Sequence, residues 1–437
     1  MFTSKKGIMN LGFEDIDGGT PAVDEVVAGG VDEAEVVEAT EGGEEQAAVD
    51  TQVTEITTAI EDAIGVVDGA DEVIEQNETA LANAEEITAD VVQASQESLA
   101  QARALMGMDK KSNIGFEAIS ANPRQALVLS NEDWKETAKL LLDKAKEFFK
   151  NLLALMKKGY VAVMKMTAAD VSTLDALVKK VKASATLEAS VKDGKIFAST
   201  TTKVKNKLAG ALATVGQHDL SGANFVKGME AIIALVNDKA LVTQAPESFA
   251  KALAAGSFGI DASTGKITLG GNMSIEKVAP NIKANFASAD KADVANSGIM
   301  AVSFSGQKVK VLNHKVETYS FAAKEAFVNS ITVAGVTKEN LLAVCNALRA
   351  PLTKNKEFFE AGEKAITTVE TAFDAYIKSD KGGEKSGQEK LALKVSTRIS
   401  KGVVYDSILN KISTDRAILS VISMIANGKA DAEPAAE

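Results

Sequence analysis

The charge of this chain is divided very unevenly between its first 117 residues and the rest. Residues 1–117 contain 27 Asp and Glu but 5 Lys and Arg, a net charge of −22, whereas the other 320 residues carry +10. Residues 15–50 are rich in Gly, Glu and Val and contain no aromatic side chain. Such a composition buries too little apolar surface to fold alone. It predicts a partly disordered acidic region before a basic remainder.

A helical pattern begins further along the acidic region. Its apolar positions are Val53, Ile56, Ile60, Ile64 and Val67 and, after Gly69, Ile74, Leu81, Ile87, Val91 and Leu99. Steps of three and four residues predict amphipathic helices. Because the apolar faces consist of Ala, Val, Ile and Leu without an aromatic residue, we expect marginal helices that need another part of the protein to pack on.

The composition excludes several kinds of site. A single cysteine cannot form an internal disulfide, and the two histidines, His218 and His314, are too far apart in sequence to suggest a multi-histidine metal site. Cys345 lies in an apolar helical stretch, which favours a core position over a nucleophile. The motifs of serine hydrolases, zinc proteases, dithiol enzymes and EF-hands are absent. We therefore expect no enzyme, no cofactor and no bound metal.

Membrane insertion and export are not predicted either. No apolar run approaches the roughly 20 residues that span a bilayer. The pair Lys5-Lys6 near the N-terminus is not followed by the apolar stretch of a signal peptide, because acidic residues begin at Glu14. The sequence predicts a soluble protein of a reducing compartment.

A short peptide occurs twice, at the two ends of the acidic region. The sequence NLGFEDI at residues 10–16 recurs as NIGFEAI at residues 113–119, and each copy follows a Lys-Lys pair. Between them, residues 15–117, hereafter the acidic segment, carry a net charge of −23. The duplication has two interpretations: a repeated docking peptide or chance repeat, and a pair of protease cleavage sites.

The cleavage hypothesis assigns two bonds. Cuts after Glu14 and Glu117, and therefore before Asp15 and Ala118, would excise the acidic segment and leave a basic product. A protease binds an extended strand, so that a cleavage site needs a flexible context, and the Gly before a large residue supplies one.

The two peptides resemble the sites cut by the maturation proteases of giant tailed phages, which cleave after a small residue, any residue and Glu. Gly12-Phe13-Glu14 and Gly115-Phe116-Glu117 both fit, as does the C-terminal Ala435-Ala436-Glu437. The motif is short and other matches occur. Examples lie at residues 39–41, 42–44, 95–97 and 361–363. The duplication singles out the first two sites.

The layout of the whole chain is similar to that of the internal head proteins of such phages. These have an acidic propeptide, a Lys-rich helix, which here opens with Asp133-Trp134-Lys135-Glu136-Thr137, and a body rich in Ala, Lys and Val. The most specific local match covers residues 131–158. The resemblance implies a non-enzymatic virion protein, located inside the capsid and in the host cytoplasm during assembly. Its implied partners are the prohead maturation protease, genomic DNA and other head proteins, with no small-molecule substrate.

The body, residues 118–437, opens with a long basic helix over residues 131–166. Ser130 and Asp133 suggest a capping box at its start. Trp134, Ala138, Leu141, Ala145, Phe148, Leu152 and Leu155 alternate steps of four and three, a heptad pattern that predicts packing along another helix. The lysines expected to contact nucleic acid or a partner are Lys135, Lys139, Lys144, Lys146, Lys150, Lys157 and Lys158.

Three interpretations of this helix remain open. It can be a core helix with a solvated lysine face, a surface that contacts phosphate, or a helix on a membrane surface with Trp134, Phe148 and Phe149 in the interface. A membrane is the least favoured of these partners.

The rest of the body predicts an α+β fold in which helices dominate. Helices are expected at residues 167–191, 203–215, 221–236 and 246–255, and again after residue 322, with breaks near Pro351 and Gly382-Gly383. A β-rich region over 256–321 is expected to begin with a hairpin around Ser263-Thr264-Gly265 and to contain strands at 299–305, 307–312 and 315–321. The predicted organisation is a leader at 1–14, the acidic segment, helical regions at 118–255 and 322–428 on either side of the β-rich region, and an acidic tail at 429–437.

Together these features suggest an electrostatic switch made by proteolysis. The acidic segment would mask the lysines of the body until it is excised, after which the basic product would contact DNA phosphates without reading sequence. The alternatives are a head assembly core or scaffold protein, and an ejected protein that acts on a membrane or on the host.

Overall fold

The computed structural model describes residues 33–83, 87–105, 119, 121–184, 195–196, 222–237, 239–260, 267–268, 331–332, 335–379 and 385–426. Helices dominate these residues, as the sequence predicts. They are α1 (Glu33–Asn83), α2 (Ala89–Leu105), α3 (Pro123–Met166), α4 (Asp170–Ala183), α5 (Ala223–Val236), α6 (Ala240–Ala255), α7 (Lys338–Thr353), α8 (Asn355–Lys378), α9 (Lys385–Arg398), a π-helix (Ile399–Tyr405) and α10 (Asp406–Ala426).

Strands within the described residues are limited to two antiparallel pairs of two residues each. β1 (Lys195–Ile196) pairs with β4 (Ile331–Thr332), and β2 (Gly259–Ile260) pairs with β3 (Ile267–Thr268). The second pair joins the residues that flank the predicted hairpin turn, with Ile260 opposite Ile267. The three longer strands predicted between 299 and 321 lie outside the described residues, as does the helix predicted at 203–215.

Helix α1 is longer than its sequence suggests. The pattern predicts a break at Gly69, but α1 continues through Gly65 and Gly69 for 51 residues. A Cβ atom at either glycine would meet nothing within 4 Å, so neither marks a close approach. The helix continues because its apolar positions keep their spacing across both glycines. Residues buried to at least 96% follow one side of it: Val49, Val53, Ala59, Ile60, Ala63, Ile64, Val67 and Ala70.

The start of α3 corrects the prediction of a cap at Ser130. The helix begins at Pro123, and the Asn122 side chain accepts a hydrogen bond from the backbone N–H of Gln125 at 3.1 Å. Asn is a preferred N-cap, and proline suits the first helical position because its missing N–H would have no partner there. Ser130 lies inside the helix, fully buried. The predicted end near Met166 is confirmed.

The heptad pattern on α3 holds for its first half and then shifts by one residue. Phe148 and Leu155 are only half-buried, whereas their neighbours Phe149 and Met156 are fully buried. A straight α-helix drifts by roughly 20° per heptad from a strict seven-residue repeat, so the next position turns inward. The other predicted positions are buried as expected: Trp134, Ala138, Leu141, Ala145 and Leu152.

The described residues fall into two compact units. The first contains residues 51–83, 87–105, 119, 121–154 and 385–394. The second contains residues 33–50 and the described residues of 155–379 and 395–426. In the second unit α7 packs against α4 and α5, α8 packs against α6, and α10 contacts both α4 and α5. Phe258 links two of these elements, since its ring lies edge-on to Phe249 of α6 and Tyr376 of α8.

Candidate functional site

The four residues at the predicted cleavage bonds, Glu14, Asp15, Glu117 and Ala118, lie outside the described residues. The structure does describe four further matches to the cleavage motif. Residues 39–41 and 42–44 lie within α1, residues 95–97 within α2 and residues 361–363 within α8. A protease that binds an extended strand cannot use a site in a helix without unwinding it. The folded chain therefore protects these matches.

Carboxylates of the acidic segment form ion pairs with lysines of the body. In the first unit, Lys135 lies 3.1 Å from Glu78, and Lys390 lies 2.7 Å from Asp68 and also contacts Asp71. Burial lowers the pKa of Lys390, but its hydrogen bonds to the two aspartates outweigh that effect and the pKa is raised. Within this unit, these pairs bring carboxylates of the acidic segment next to lysines of the body.

The second unit contains one further pair between the acidic segment and the body. Lys165 near the end of α3 lies 3.0 Å from Glu45 of α1. Both side chains are partly exposed, so that the pair neutralises charge more than it stabilises the fold.

A buried polar network joins α2 to α3 in the first unit. The Ser95 hydroxyl lies 2.9 Å from that of Ser130 and accepts hydrogen bonds from the Trp134 indole N–H and the Asn77 amide, both at 3.2 Å. Arg103 donates to the Thr137 hydroxyl at 2.9 Å. A buried polar group without a hydrogen-bond partner lowers the free energy of unfolding. The buried polar side chains of α2 and α3 therefore depend on one another for their partners. The sequence pattern gives no indication of it, since Ser130 resembles a cap.

An apolar cluster extends across the predicted cut at Glu117. Ile87 and Val92 of the acidic segment pack with Ile119, Ala126 and Leu127 of the body, and all five are at least 92% buried. Partly buried residues of the acidic segment pack around it: Ala80, Leu81 and Ala89. The two sides of the predicted bond therefore share one core.

In the second unit the acidic segment is held at Tyr405, the last residue of the π-helix. The Tyr405 hydroxyl donates to Asp50 at 2.9 Å, and the Gln46 amide donates to Asp50 at 2.7 Å and to Tyr405 at 2.8 Å. Burial raises the pKa of Asp50, although the hydrogen bonds from Tyr405 and Gln46 act against it. Burial also raises the pKa of Tyr405. The three side chains form a closed triangle of hydrogen bonds between α1 and the π-helix.

A glycine makes this approach possible. A Cβ atom at Gly159 of α3 would lie 2.6 Å from the Tyr405 hydroxyl and 3.1 Å from Val49 of α1. The tyrosine is rigid, so any side chain at position 159 would push the three helices apart. Tyr160 packs next to Tyr405 with ring centroids 5.7 Å apart.

The seven lysines predicted to contact nucleic acid or a partner do not share one environment. Lys135 is paired with Glu78, while Lys146 and Lys157 pair at 2.6 Å with Glu389 and Glu370 of the body. Lys144 lies 5.9 Å from the centre of the Phe148 ring. Four are exposed, of which one is the paired Lys135 and the others are Lys139, Lys150 and Lys158. The exposed lysines of α3 are therefore fewer than the sequence suggests.

The aromatic residues required by the membrane interpretation of α3 are mostly hidden. Trp134 is 3% exposed and Phe149 is fully buried, which leaves Phe148 half-buried. Within the part of the chain that the structure describes, no helix is long and apolar enough to cross a membrane.

The second unit also contains a buried ion pair that the sequence did not reveal. Lys411 and Asp415, one helical turn apart on α10, are each 1% exposed and lie 2.6 Å apart. Lys411 also donates to the Asn355 side chain of α8 and lies over the Phe358 ring. None of the described residues of the acidic segment takes part. The sequence feature that could have indicated it is the i,i+4 spacing of Lys411 and Asp415.

Asp170, at the start of α4, lies next to this pair. Arg416 donates to its carboxylate at 3.2 Å and to the Met166 carbonyl. Burial raises the pKa of Asp170 to about 6, against the opposing charge of Arg416.

Cys345 lies in the core of α7, as predicted, fully buried and free. Burial raises the pKa of its thiol to about 11, so the thiolate is disfavoured. Among the residues described, no group of three His, Cys, Asp or Glu could hold a metal ion. His218 and His314 lie outside the described residues.

Comparison of the chain with protein-family models, curated proteins and solved structures found no match.

Proposed function

We propose that this protein is a non-enzymatic structural component packaged with the genome inside the head of a giant tailed phage. In this proposal the acidic segment is a propeptide, removed by the maturation protease after Glu14 and Glu117. The observation that supports it is the pairing of the segment's carboxylates with lysines of the body, at Lys135 and Lys390 in the first unit and Lys165 in the second.

Removal of the acidic segment reverses the charge of the protein. The full chain carries −12, whereas residues 118–437 carry +10. The body would then contact DNA phosphates through lysines, releasing counterions without reading sequence. A charge of +10 over 320 residues is mild, so DNA contact would be weak and strongly dependent on salt. The proposal includes an antiparallel β region over residues 258–321 of the body.

Mass spectrometry of purified mature particles tests this proposal. We expect peptides from the body and new termini at Asp15 or Ala118, and no covalently continuous chain across residues 117–118. Intact chains in infectious particles would contradict the proposal. Retardation of DNA by protein from mature particles, at low and moderate salt, then separates contact with nucleic acid from simple packing beside it.

A second candidate is a head assembly core or scaffold protein whose acidic segment stays attached. The observation that favours it is the burial of that segment against the body. Ser95 accepts a hydrogen bond from Trp134 in the first unit, and Asp50 accepts one from Tyr405 in the second. In this case particles at an early stage of assembly would contain the intact chain, and mature particles would lack the protein altogether. An ejected protein that acts on a membrane or on the host would instead leave the particle with the DNA.

A further inference from the structure

The predicted cuts lie at the ends of the acidic segment, whereas the contacts that hold it lie inside. The bonds after Glu14 and Glu117 are separated along the chain from Gln46, Asp50 and Ser95, which carry the buried hydrogen bonds. Cutting a peptide bond removes a covalent link but none of these contacts.

The first unit depends heavily on the acidic segment. Half or more of its described residues belong to the segment, namely residues 51–83 of α1 and the whole of α2. These pack on α3 through the Ser95–Trp134 network and through the apolar cluster of Ile87, Val92 and Leu127. Loss of the segment would expose these apolar side chains to water and leave buried polar groups of α3 without partners.

In the second unit the acidic segment is held over a few residues. The triangle of Gln46, Asp50 and Tyr405 is buried, and Val49 fits against the space that Gly159 leaves open. The Tyr405 hydroxyl would lose both of its partners if the segment left.

We infer that the acidic segment stays bound to the body after its ends are cut, so that cleavage and release are two separate events. This inference rests on the proposed function, because it concerns the state of the protein once both bonds are cut. The switch of charge then occurs at release. Release requires the helices to open, either through further cuts at residues 39–44 and 95–97 once α1 and α2 unwind, or through displacement of the segment by a competing polyanion.

The experiment uses the full chain with one change near the second predicted cut. Residues 111–117 are replaced by the recognition sequence of a site-specific endoprotease, the chain is cut under native conditions, and the products are separated by size exclusion. We expect the fragment of residues 1–117 to elute with the body, at the volume of the uncut protein. Elution of the two fragments as separate species would overturn the inference.

Variants identify the contacts responsible for retention. Trp134→Ala is expected to weaken binding of the fragment by about tenfold or more, because it removes a buried indole and its hydrogen bonds to Ser95. Lys139→Ala, an exposed change on the same helix, is the matched control and should leave retention unchanged. Circular dichroism of the uncut variants reports folding. If Trp134→Ala prevents folding, Tyr405→Phe removes a single hydroxyl and should still weaken retention by several-fold; equal retention in all variants would contradict the assigned contacts.

The outcome is distinguishable from a failure of the proposed function. Separation of the fragments after an engineered cut would refute retention and leave the propeptide proposal standing. Intact chains in mature particles would refute the propeptide proposal, whatever the cut protein does in solution.

Discussion

The two units differ in how much of their structure the acidic segment supplies. In the first, it provides α2 and most of α1, and Trp134 and Leu127 of α3 are buried partly by it. In the second, only residues 33–50 come from it, and the buried pair of Lys411 and Asp415 involves none of its residues. The difference indicates that excision would remove buried partners of α3, such as Ser95 and Ile87, in the first unit and would leave the Lys411–Asp415 pair of the second intact.

The largest expected effect concerns the buried ion pair of the second unit. Lys411→Ala leaves Asp415 buried without its partner and should lower the free energy of unfolding by about 3–5 kcal/mol. Urea denaturation followed by circular dichroism measures it. The double variant Lys411→Met with Asp415→Leu removes both charges and should recover most of the loss. An unaltered stability of Lys411→Ala would show that the pair is not buried as described.

A cavity in the first unit should have a somewhat smaller effect. Leu127→Ala removes a fully buried side chain from the cluster shared with Ile87 and Val92, and should cost about 3 kcal/mol. Val128→Ala is the control, since Val128 is 38% exposed on the same helix. In calorimetry, Leu127→Ala and Lys411→Ala should affect different transitions if the units unfold separately. A shift of one shared transition by both variants would show that the two units unfold together.

Substitution of two neighbouring tyrosines tests the hydrogen bonds that join the acidic segment to Tyr405 within the second unit. Tyr405→Phe leaves Asp50 and Gln46 without their shared hydroxyl and should destabilise the protein by about 1–2 kcal/mol. Tyr160→Phe is the matched control, because the Tyr160 hydroxyl is buried and has no hydrogen-bond partner among the described residues. We expect Tyr160→Phe to be neutral or slightly stabilising in the same thermal denaturation. Equal losses in both variants would mean that the hydrogen bonds to Asp50 contribute nothing.

The last prediction, a pH dependence in the second unit, has an upper bound in place of a single expected size. Because the pKa of Asp170 is raised from 3.8 to about 6, mainly by burial, the folded protein binds this proton more tightly than the unfolded chain. The free energy of unfolding should therefore fall as the pH rises through that interval, by at most about 2–3 kcal/mol. Asp170→Asn should flatten this part of the profile, measured by urea denaturation between pH 4 and 7. A profile as steep as that of the unaltered protein would assign the effect to another carboxyl.

Much of the helical structure could be predicted from spacing alone, because burial of one helix face leaves a period of three and four residues. The pattern located α3, α5 and the buried Cys345. It failed at the start of α3, where Ser130 and Asp133 resemble a cap but Asn122 and Pro123 form it. A local motif cannot reveal that Ser130 has a partner 35 residues away, the Ser95 hydroxyl.

The acidic segment was the harder part to predict. Its helices lack aromatic residues and carry glycines, so the sequence indicates little intrinsic stability. The apolar positions on α1 from Val53 to Ala70 are buried in the structure. They stabilise the helix only because α3 and the neighbouring helices cover them. The charge pattern suggests that carboxylates of the acidic segment lie near lysines of the body. It does not show which lysines are involved, because Lys390 is more than 300 residues from Asp68.

The π-helix at Ile399–Tyr405 makes the length of the C-terminal helix more critical than its composition. Each turn closes over one residue more than in an α-helix, as in the bond from the Asp406 N–H to the Lys401 carbonyl. A surplus residue rotates everything downstream by about 100° relative to an uninterrupted α-helix. Replacing Gly402 by alanine is therefore harmless, since its Cβ would meet nothing within 4 Å. Deleting Gly402 would let this stretch close as an ordinary α-helix with Lys411 still on the face that meets Asn355, whereas inserting one more residue would turn Lys411 away by about 100°.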